Sequence, residues 1–308
     1  MLYVGVDFGG TKIEAAALSA DGDLLAVQRK PNPGDYASAL GVVCELINVV
    51  EREAKVKDPS LGHRVATIGV GAPGSVSPRT GVMRNANSTW LNGKTFREDL
   101  EDALHRPVRL ANDANCLALS EAIDGAAQGA RSVYAIIVGT GCGGGVVFNG
   151  QLIEGANGVA GEWGHIPLPW PRAEEMPGPK CWCGLHGCLE TWVSGTGFAR
   201  DFHTVTGRQM KGEEIIAAMR AGDAEAEAAF DRLMDRLGRA MALMVNTLDP
   251  DVFVFGGGLS NVSEIYDRLP DKIRPYVFSD TWTARLLPAK WGDSSGVRGA
   301  AYLWKQGQ

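Results

Sequence analysis

The chain has 308 residues, of which 45% are hydrophobic and 21% charged, with a formal charge of -6. This is the composition of a soluble globular protein with one large domain or two. The acidic balance excludes bulk attraction to nucleic acid or anionic membrane. No apolar run approaches the roughly 20 residues of a membrane span, and MLYVGVDFGG lacks a signal-peptide pattern; the default expectation is a cytoplasmic protein. Glycine is the outlier: 40 of 308 residues is roughly twice the usual share, as expected where the backbone must approach a ligand closely.

In chain order, LYVGVDFGGTKIEAAALSADGDLL reads as a strand, a Gly-Gly-Thr turn, a second strand, an Ala20-Asp21-Gly22 turn and a third strand. YASALGVVCELINVVEREAK has helical periodicity. VATIGVGA and PVRLAND read as strands, and NCLALSEAIDGAA as a helix. SVYAIIVGTGCGGGVVFNGQLI then repeats the opening plan, with a Gly-Thr-Gly loop and an Asn149-Gly150 hairpin turn. The helical EEIIAAMRAGDAEAEAAFDRLMDRLGRAMALMVNTL follows it. A duplicated strand–glycine loop–strand unit backed by helices predicts two similar α/β lobes facing each other across a ligand cleft. The division is expected near residues 115–130, giving lobes 1–118 and 119–308. A last helix, Gly296 to Lys305, is expected to return to the first lobe.

Three glycine loops follow strands: Asp7-Phe8-Gly9-Gly10-Thr11-Lys12, Gly139 to Gly145, and Gly256-Gly257-Gly258. Loops of this kind expose several N–H groups to phosphate oxygens. None has the GxxxxGK[ST] spacing of a P-loop, and a strand, not a helix, follows the second, which argues against a Rossmann site. Asp7, at a strand end, is a candidate Mg²⁺ ligand or a turn cap. Asp113 follows Asn112 at a strand-to-helix junction, where a carboxylate can cap the helix or accept a proton. Glu162 and His165 in GEWGH share a side if that segment is helical.

Cys181-x-Cys183-x4-Cys188 fits poorly with a disulfide framework in a cytosolic chain. Three thiolates in a glycine-containing knuckle fit tetrahedral Zn²⁺ with a histidine as fourth ligand, a redox trio being the alternative. Spacing alone leaves both His165 and His186 open. Cys44, Cys116 and Cys142 read as reduced core thiols.

Taken together, DFGGTK, LANDANC, GTGCGGG, GEWGH and CWCGLHGCLE resemble the ROK family of bacterial sugar kinases and repressors, from Leu2 to Trp304. The resemblance implies an actin/hexokinase/Hsp70-like ATPase fold that binds ATP and Mg²⁺. It implies that Asp113 is the catalytic base, that Asn112, Glu162, His165 and Glu190 bind the sugar, and that Ser75 and Asn87 line its pocket. It also implies that His165, Cys181, Cys183 and Cys188 hold a structural Zn²⁺. Phosphate binding falls to Asp7, Gly9, Gly10, Thr11 and Lys12, with Thr140, Gly141, Gly143, Gly144 and Gly257 in the second lobe. NANSTWLNG (Asn85–Gly93) and GDSSGVRGAAYLW look most like the fructokinase/mannokinase branch. The implied activity is transfer of phosphate from ATP to a hexose hydroxyl, the 6-OH, by a homodimer. Fructose is favoured, with mannose or glucose activity; N-acetylglucosamine kinase and glucokinase are the alternatives. A non-catalytic sugar sensor is a further alternative, though no helix-turn-helix precedes Asp7. Fifteen residues separate His165 from Cys181, and twelve of them form the insert PWPRAEEMPGPK, which is expected to make a loop near the sugar mouth.

Overall fold

The computed structural model describes residues 1–306; the end of the expected second lobe, residues 307 and 308, lies outside the described residues. The chain opens with β1 (Tyr3–Phe8), β2 (Lys12–Leu18) and β3 (Leu24–Pro31), followed by α1 (Tyr36–Lys57). β1 is a nearly continuous apolar run buried on both faces, as a central strand requires; β3 carries the exposed, charged residues of an edge. Asp35 caps α1 by accepting the Ser38 N–H at 3.0 Å, and the helix buries Ala39, Val43, Leu46, Ile47, Val50 and Ala54 at helical spacing. Next come β4 (Thr67–Ala72), the small pair β5 (Ser75–Val76) and β6 (Met83–Arg84), α2 (Phe96–Leu104), β7 (Val108–Asn112) and α3 (Asp113–Ile123).

The second series runs through β8 (Ser132–Val138), β9 (Cys142–Phe148) and β10 (Gln151–Leu152), then α4 (Glu190–Val193), α5 (Gly195–Thr206), α6 (Gly212–Arg220) and α7 (Ala224–Leu248). The chain ends with β11 (Val252–Gly256), α8 (Glu264–Ile273), β12 (Arg285–Pro288) and α9 (Ser295–Tyr302). The single helical run read from the sequence is thus two helices. Gly222, at φ 89°, breaks it, and Asp223 caps α7 by accepting the Glu225 and Ala226 N–H groups.

The first sheet has the order β3-β2-β1-β4-β7 and the second β10-β9-β8-β11-β12. With the β5–β6 pair set aside, each order is third, second, first, fourth, fifth strand, so the duplication extends to topology. β1, β4 and β7 are mutually parallel, as are β8, β11 and β12, while β2 runs antiparallel to β1. Among the described residues no helix is long and apolar enough to cross a membrane.

Two compact units emerge. The first comprises residues from Met1 to Gly129, Gly145 to Ala160, and the described chain from Lys290; the second comprises Ala130–Gly144 and Gly161–Ala289. In the first unit, α9 packs on β1, β4 and α3. A Cβ at Gly5 would lie 2.0 Å from the Val297 carbonyl oxygen, and one at Gly69 would lie 1.9 Å from that of Ala300. Only glycine permits this approach of helix to sheet.

In the second unit the insert is folded onto α7 by buried charge. Arg239 is fully buried; its guanidinium donates to both Glu175 oxygens at 2.9 and 2.8 Å and to the Pro169 and Trp170 carbonyls. Arg236 donates to Glu175 at 2.9 Å and to Asp201 on α5 at 2.7 Å, with its guanidinium over the Trp192 ring. Burial alone would raise the Glu175 pKa, but bonds from Arg239, the Arg172 N–H and Arg236 hold it down at about 2. A carboxylate whose folded pKa is depressed stabilises the fold above its unfolded value, and loses that contribution as pH falls through the folded one. Glu175→Gln leaves two buried cations undercompensated, and should cost about 3 kcal/mol at neutral pH. The melting temperature should drop by about 6–12 °C, a difference that shrinks as pH falls from 4.5 toward 2. Calorimetric scans of both proteins across that range check it.

Candidate active site and metal cluster

In the first unit, Asp7 is the penultimate residue of β1 and Asp113 the first of α3, so the topology brings a strand's C-terminal end and a helix start together. The Gly9–Lys12 turn is closed by the Gly9 N–H donating to the Lys12 carbonyl at 3.0 Å and by Asn32 Nδ2 donating to the Gly9 carbonyl at 2.8 Å. Gly10 and Thr11 are exposed at its tip and Lys12 opens β2. Burial raises the Asp7 pKa to about 6; the neighbouring Asp113 and Glu14 carboxylates add to this, against Lys12 and Arg29. Asp113 is open to solvent, but the surrounding chain still raises its pKa above the usual carboxylate range, offset in part by its bond from the Ala114 N–H at 2.8 Å. A carboxylate whose ionisation is discouraged by burial and by a second carboxylate beside it suits a cation, and Mg²⁺ needs only one or two protein ligands beside water and phosphates.

Asn112 is the N-cap of α3: its Oδ1 accepts the Ala114 N–H at 2.8 Å and its Nδ2 donates to the Gly74 carbonyl at 3.3 Å. Ser75 Oγ accepts from Arg84 Nε at 3.3 Å. Much of NANSTWLNG is occupied in shaping its own turn. Asn85 sits at φ 59°, the Asn92 side chain bonds the Ala86 N–H and carbonyl, and Trp90 packs edge-on against Phe8. Asn87 remains exposed, its Oδ1 engaged by the Ser88 N–H.

In the second unit, the Thr140–Gly144 loop meets Glu190. The Cys142 N–H donates to Glu190 Oε2 at 3.0 Å, and a Cβ at Gly141 would come within 2.8 Å of that oxygen. Trp163 Nε1 donates to the Gly143 carbonyl at 2.9 Å, and a Cβ on Gly144 would strike the Gly161 carbonyl oxygen. Gly257 has φ 79°, and a side chain there would meet the Val138 carbonyl at 2.7 Å. A cavity of about 550 Å³ lies beside these loops, lined by residues that include Gly139, Thr140, Phe198, Lys211, Ile216 and Gly258. That volume is in the range of small-molecule sites.

His165, Cys181, Cys183 and Cys188 bring one ligand atom each to within 4.8 Å of one another. His165 Nδ1 lies 3.6 Å from Cys181 Sγ, and Cys183 Sγ lies 3.6 Å from Cys188 Sγ. Zinc–sulfur bonds of about 2.3 Å at a tetrahedral angle place sulfurs about 3.7 Å apart, so the donor set and its spacing fit that ion. Backbone pairing explains the choice of histidine. The Leu189 N–H donates to the Ile166 carbonyl at 2.8 Å and the Leu168 N–H to the Gly187 carbonyl at 3.0 Å, which lays the residues after His165 along those around Cys188. His186 is exposed, and its backbone pairs with Lys180. Glu162 immediately precedes the short 3₁₀ turn Trp163–His165, a tighter turn than the helix considered from sequence. Two residues beside this cluster escape a sequence reading: Trp182, whose Nε1 donates to Glu190 Oε1 at 2.9 Å, and Cys142, through its backbone.

Two five-stranded sheets of matching order, glycine loops and paired carboxylates are features of the actin/hexokinase-like ATPase fold, and solved structures confirm it. The ROK hexokinase of Thermus thermophilus superposes with a TM-score of 0.84 at 36% identity, over 98% of this chain and 97% of that one. A ROK family glucokinase from Streptomyces griseus, in complex with glucose and AMPPNP, gives 0.76 at 29%, over 98% and 99%. The ROK family model matches residues 3–307; the chain belongs to the ROK family. An N-acetyl-D-glucosamine kinase from Aliivibrio salmonicida is 39% identical over 98% of this chain and 99% of its own.

If the four ligand atoms hold one ion, Cys183→Ser should lose it and His186→Ala should keep it, read as metal per chain by emission spectroscopy. Equal loss in both variants, or in neither, refutes the assignment of His165 over His186.

Proposed function

We propose that the protein is an ATP-dependent hexose kinase whose principal substrate is N-acetyl-D-glucosamine. The observation that carries the substrate is the 39% identity, over essentially the whole length of both chains, to a kinase of that sugar. Fructose, expected from NANSTWLNG, finds no such support, and that stretch is largely engaged in its own turn. Glucose is the second reading, favoured by the match to the glucose-bound glucokinase.

The residues divide the work. Asp113, solvent-accessible and raised in pKa, takes the proton of the attacking hydroxyl. Phosphoryl transfer has a loose transition state, so that proton leaves late and positioning with charge neutralisation dominates. Asp7 is the residue to hold Mg²⁺, which when bound neutralises phosphate charge. The backbone N–H groups of the Gly9–Thr11 turn and of the Thr140–Gly144 loop are the donors to phosphate oxygens. The cavity beside Thr140, Lys211 and Gly258 is of a size to take the nucleoside. Glu162, Glu190 and His165 bind the sugar, with Asn112, Asn87 and Ser75 as further contacts. The His/Cys₃ set is a closed zinc shell with no open position, so its part is structural. With Nδ1 turned to the cysteines, His165 keeps Nε2 to donate to a sugar hydroxyl.

Asp113→Asn should lower kcat by about 10²–10⁴ while leaving the sugar dissociation constant within about threefold; a variant keeping more than about a tenth of kcat removes Asp113 as base. With wild-type protein, ADP release against N-acetylglucosamine, glucose, mannose and fructose should rank N-acetylglucosamine first by kcat/KM. Fructose first would overturn the substrate assignment and leave the kinase standing.

A further inference from the structure

Trp182 stands between two of the cysteines of the candidate metal cluster, and the residue is 65% exposed. Packing does not account for it, since truncating an exposed ring leaves little cavity. Its ring nevertheless has two defined neighbours. The indole N–H donates to Glu190 Oε1 at 2.9 Å, while the Cys142 N–H donates to the other oxygen at 3.0 Å. The ring also meets that of His165 nearly perpendicularly, at 87°, with centroids 4.8 Å apart. Each Glu190 oxygen thus receives one fixed donor, one from each side of the carboxylate. A carboxylate has about four acceptor sites; two are taken, and those left point where the two donors make them point.

An exposed tryptophan held by a single hydrogen bond would ordinarily sample several rotamers. Here its backbone is pinned on both sides, because Cys181 and Cys183 belong to one cluster of four ligand atoms. The Cys181 N–H also donates to the Leu185 carbonyl at 2.8 Å, closing the knuckle under the ring.

We propose that Trp182 is a positioning residue for the acceptor sugar: the cluster fixes its backbone, and its indole N–H orients the Glu190 carboxylate so that the remaining lone pairs meet sugar hydroxyls. This rests on the reading of Glu190 as a sugar ligand. It makes the knuckle the support of a sugar contact two steps away, from cysteine to indole to carboxylate. His165 is the direct route between the same cluster and the same sugar.

The test is a double-mutant cycle on kcat/KM for the sugar that ranks first, with Trp182→Phe, Glu190→Ala and the pair. Initial slopes give kcat/KM even where saturation is not reached. Trp182→Phe keeps a ring against His165 and removes the N–H. It should raise the sugar KM about five- to tenfold, with kcat and the KM for ATP within about twofold and metal content unchanged. In the Glu190→Ala background, where there is no carboxylate to orient, the same substitution should change kcat/KM by less than about twofold. An unchanged sugar KM in Trp182→Phe, an equal effect in both backgrounds, or loss of the metal overturns the inference. If Glu190→Ala alone leaves the sugar KM unchanged, the sugar-ligand reading falls, and this inference falls with it.

Discussion

The first unit depends on α9 lying at backbone contact with β1, β4 and α3. Gly5, Gly69 and Gly299 make this possible; a Cβ on Gly299 would come within 1.7 Å of the Cys116 carbonyl oxygen. A side chain at Gly5 or Gly69 would push the helix off the sheet and one at Gly299 would push it off α3, and the helix carries Gly296, which lies against the Asp7 carboxylate. β1 carries Asp7 next to its last residue and α3 begins with Asp113, so the elements that α9 clamps are those bearing the two carboxylates. Their separation is therefore set by main-chain packing, in an interior of low compressibility.

The second unit solves a different problem. Fifteen residues separate His165 from Cys181, and a free loop of that length would impose an entropic cost on bringing the two together. Glu175 removes much of that freedom: it ties the middle of the insert to Arg236 and Arg239 on α7, while the Leu168–Gly187 and Leu189–Ile166 bonds close its ends. The cluster is thus held by main-chain pairing and buried charge, and the side chains beside it inherit that rigidity. A ligand site supported in this way loses little entropy when its partner arrives.

The two-fold repeat, the strand and helix succession and the loops were legible because each is local: periodicity, glycine turns and caps leave marks within a few residues. What could not be read was non-local. Glu175 looks like one acidic residue in a surface loop, and its partners stand 61 and 64 residues away on α7. Trp182 looks like filler between two cysteines. Spacing could not choose between the two histidines, because the choice is made by a ladder joining Ile166 to Leu189. The glycine excess suggests ligand approach, but Gly5, Gly69 and Gly299 serve packing. NANSTWLNG suggested a sugar preference, although the Asn92–Ala86 bonds and the Trp90–Phe8 contact show it chiefly shaping a turn.

The first unit is assembled from three separate stretches of chain, and the last of them supplies the helix that covers its sheet. The stretches that build the second unit all precede Lys290. During synthesis the opening strands therefore leave the ribosome long before α9 exists to pack on them, whereas the second unit has its full complement of residues earlier. At about 5–20 residues per second, the glycine-bearing face of β1 and β4 waits on the order of ten seconds or more for its cover. Through that interval, shielding of this face falls to α3 and whatever chaperone is at hand, since α1 packs on the sheet's other face. A fragment cut at the end of the first 129 residues would stay in that unfinished state permanently.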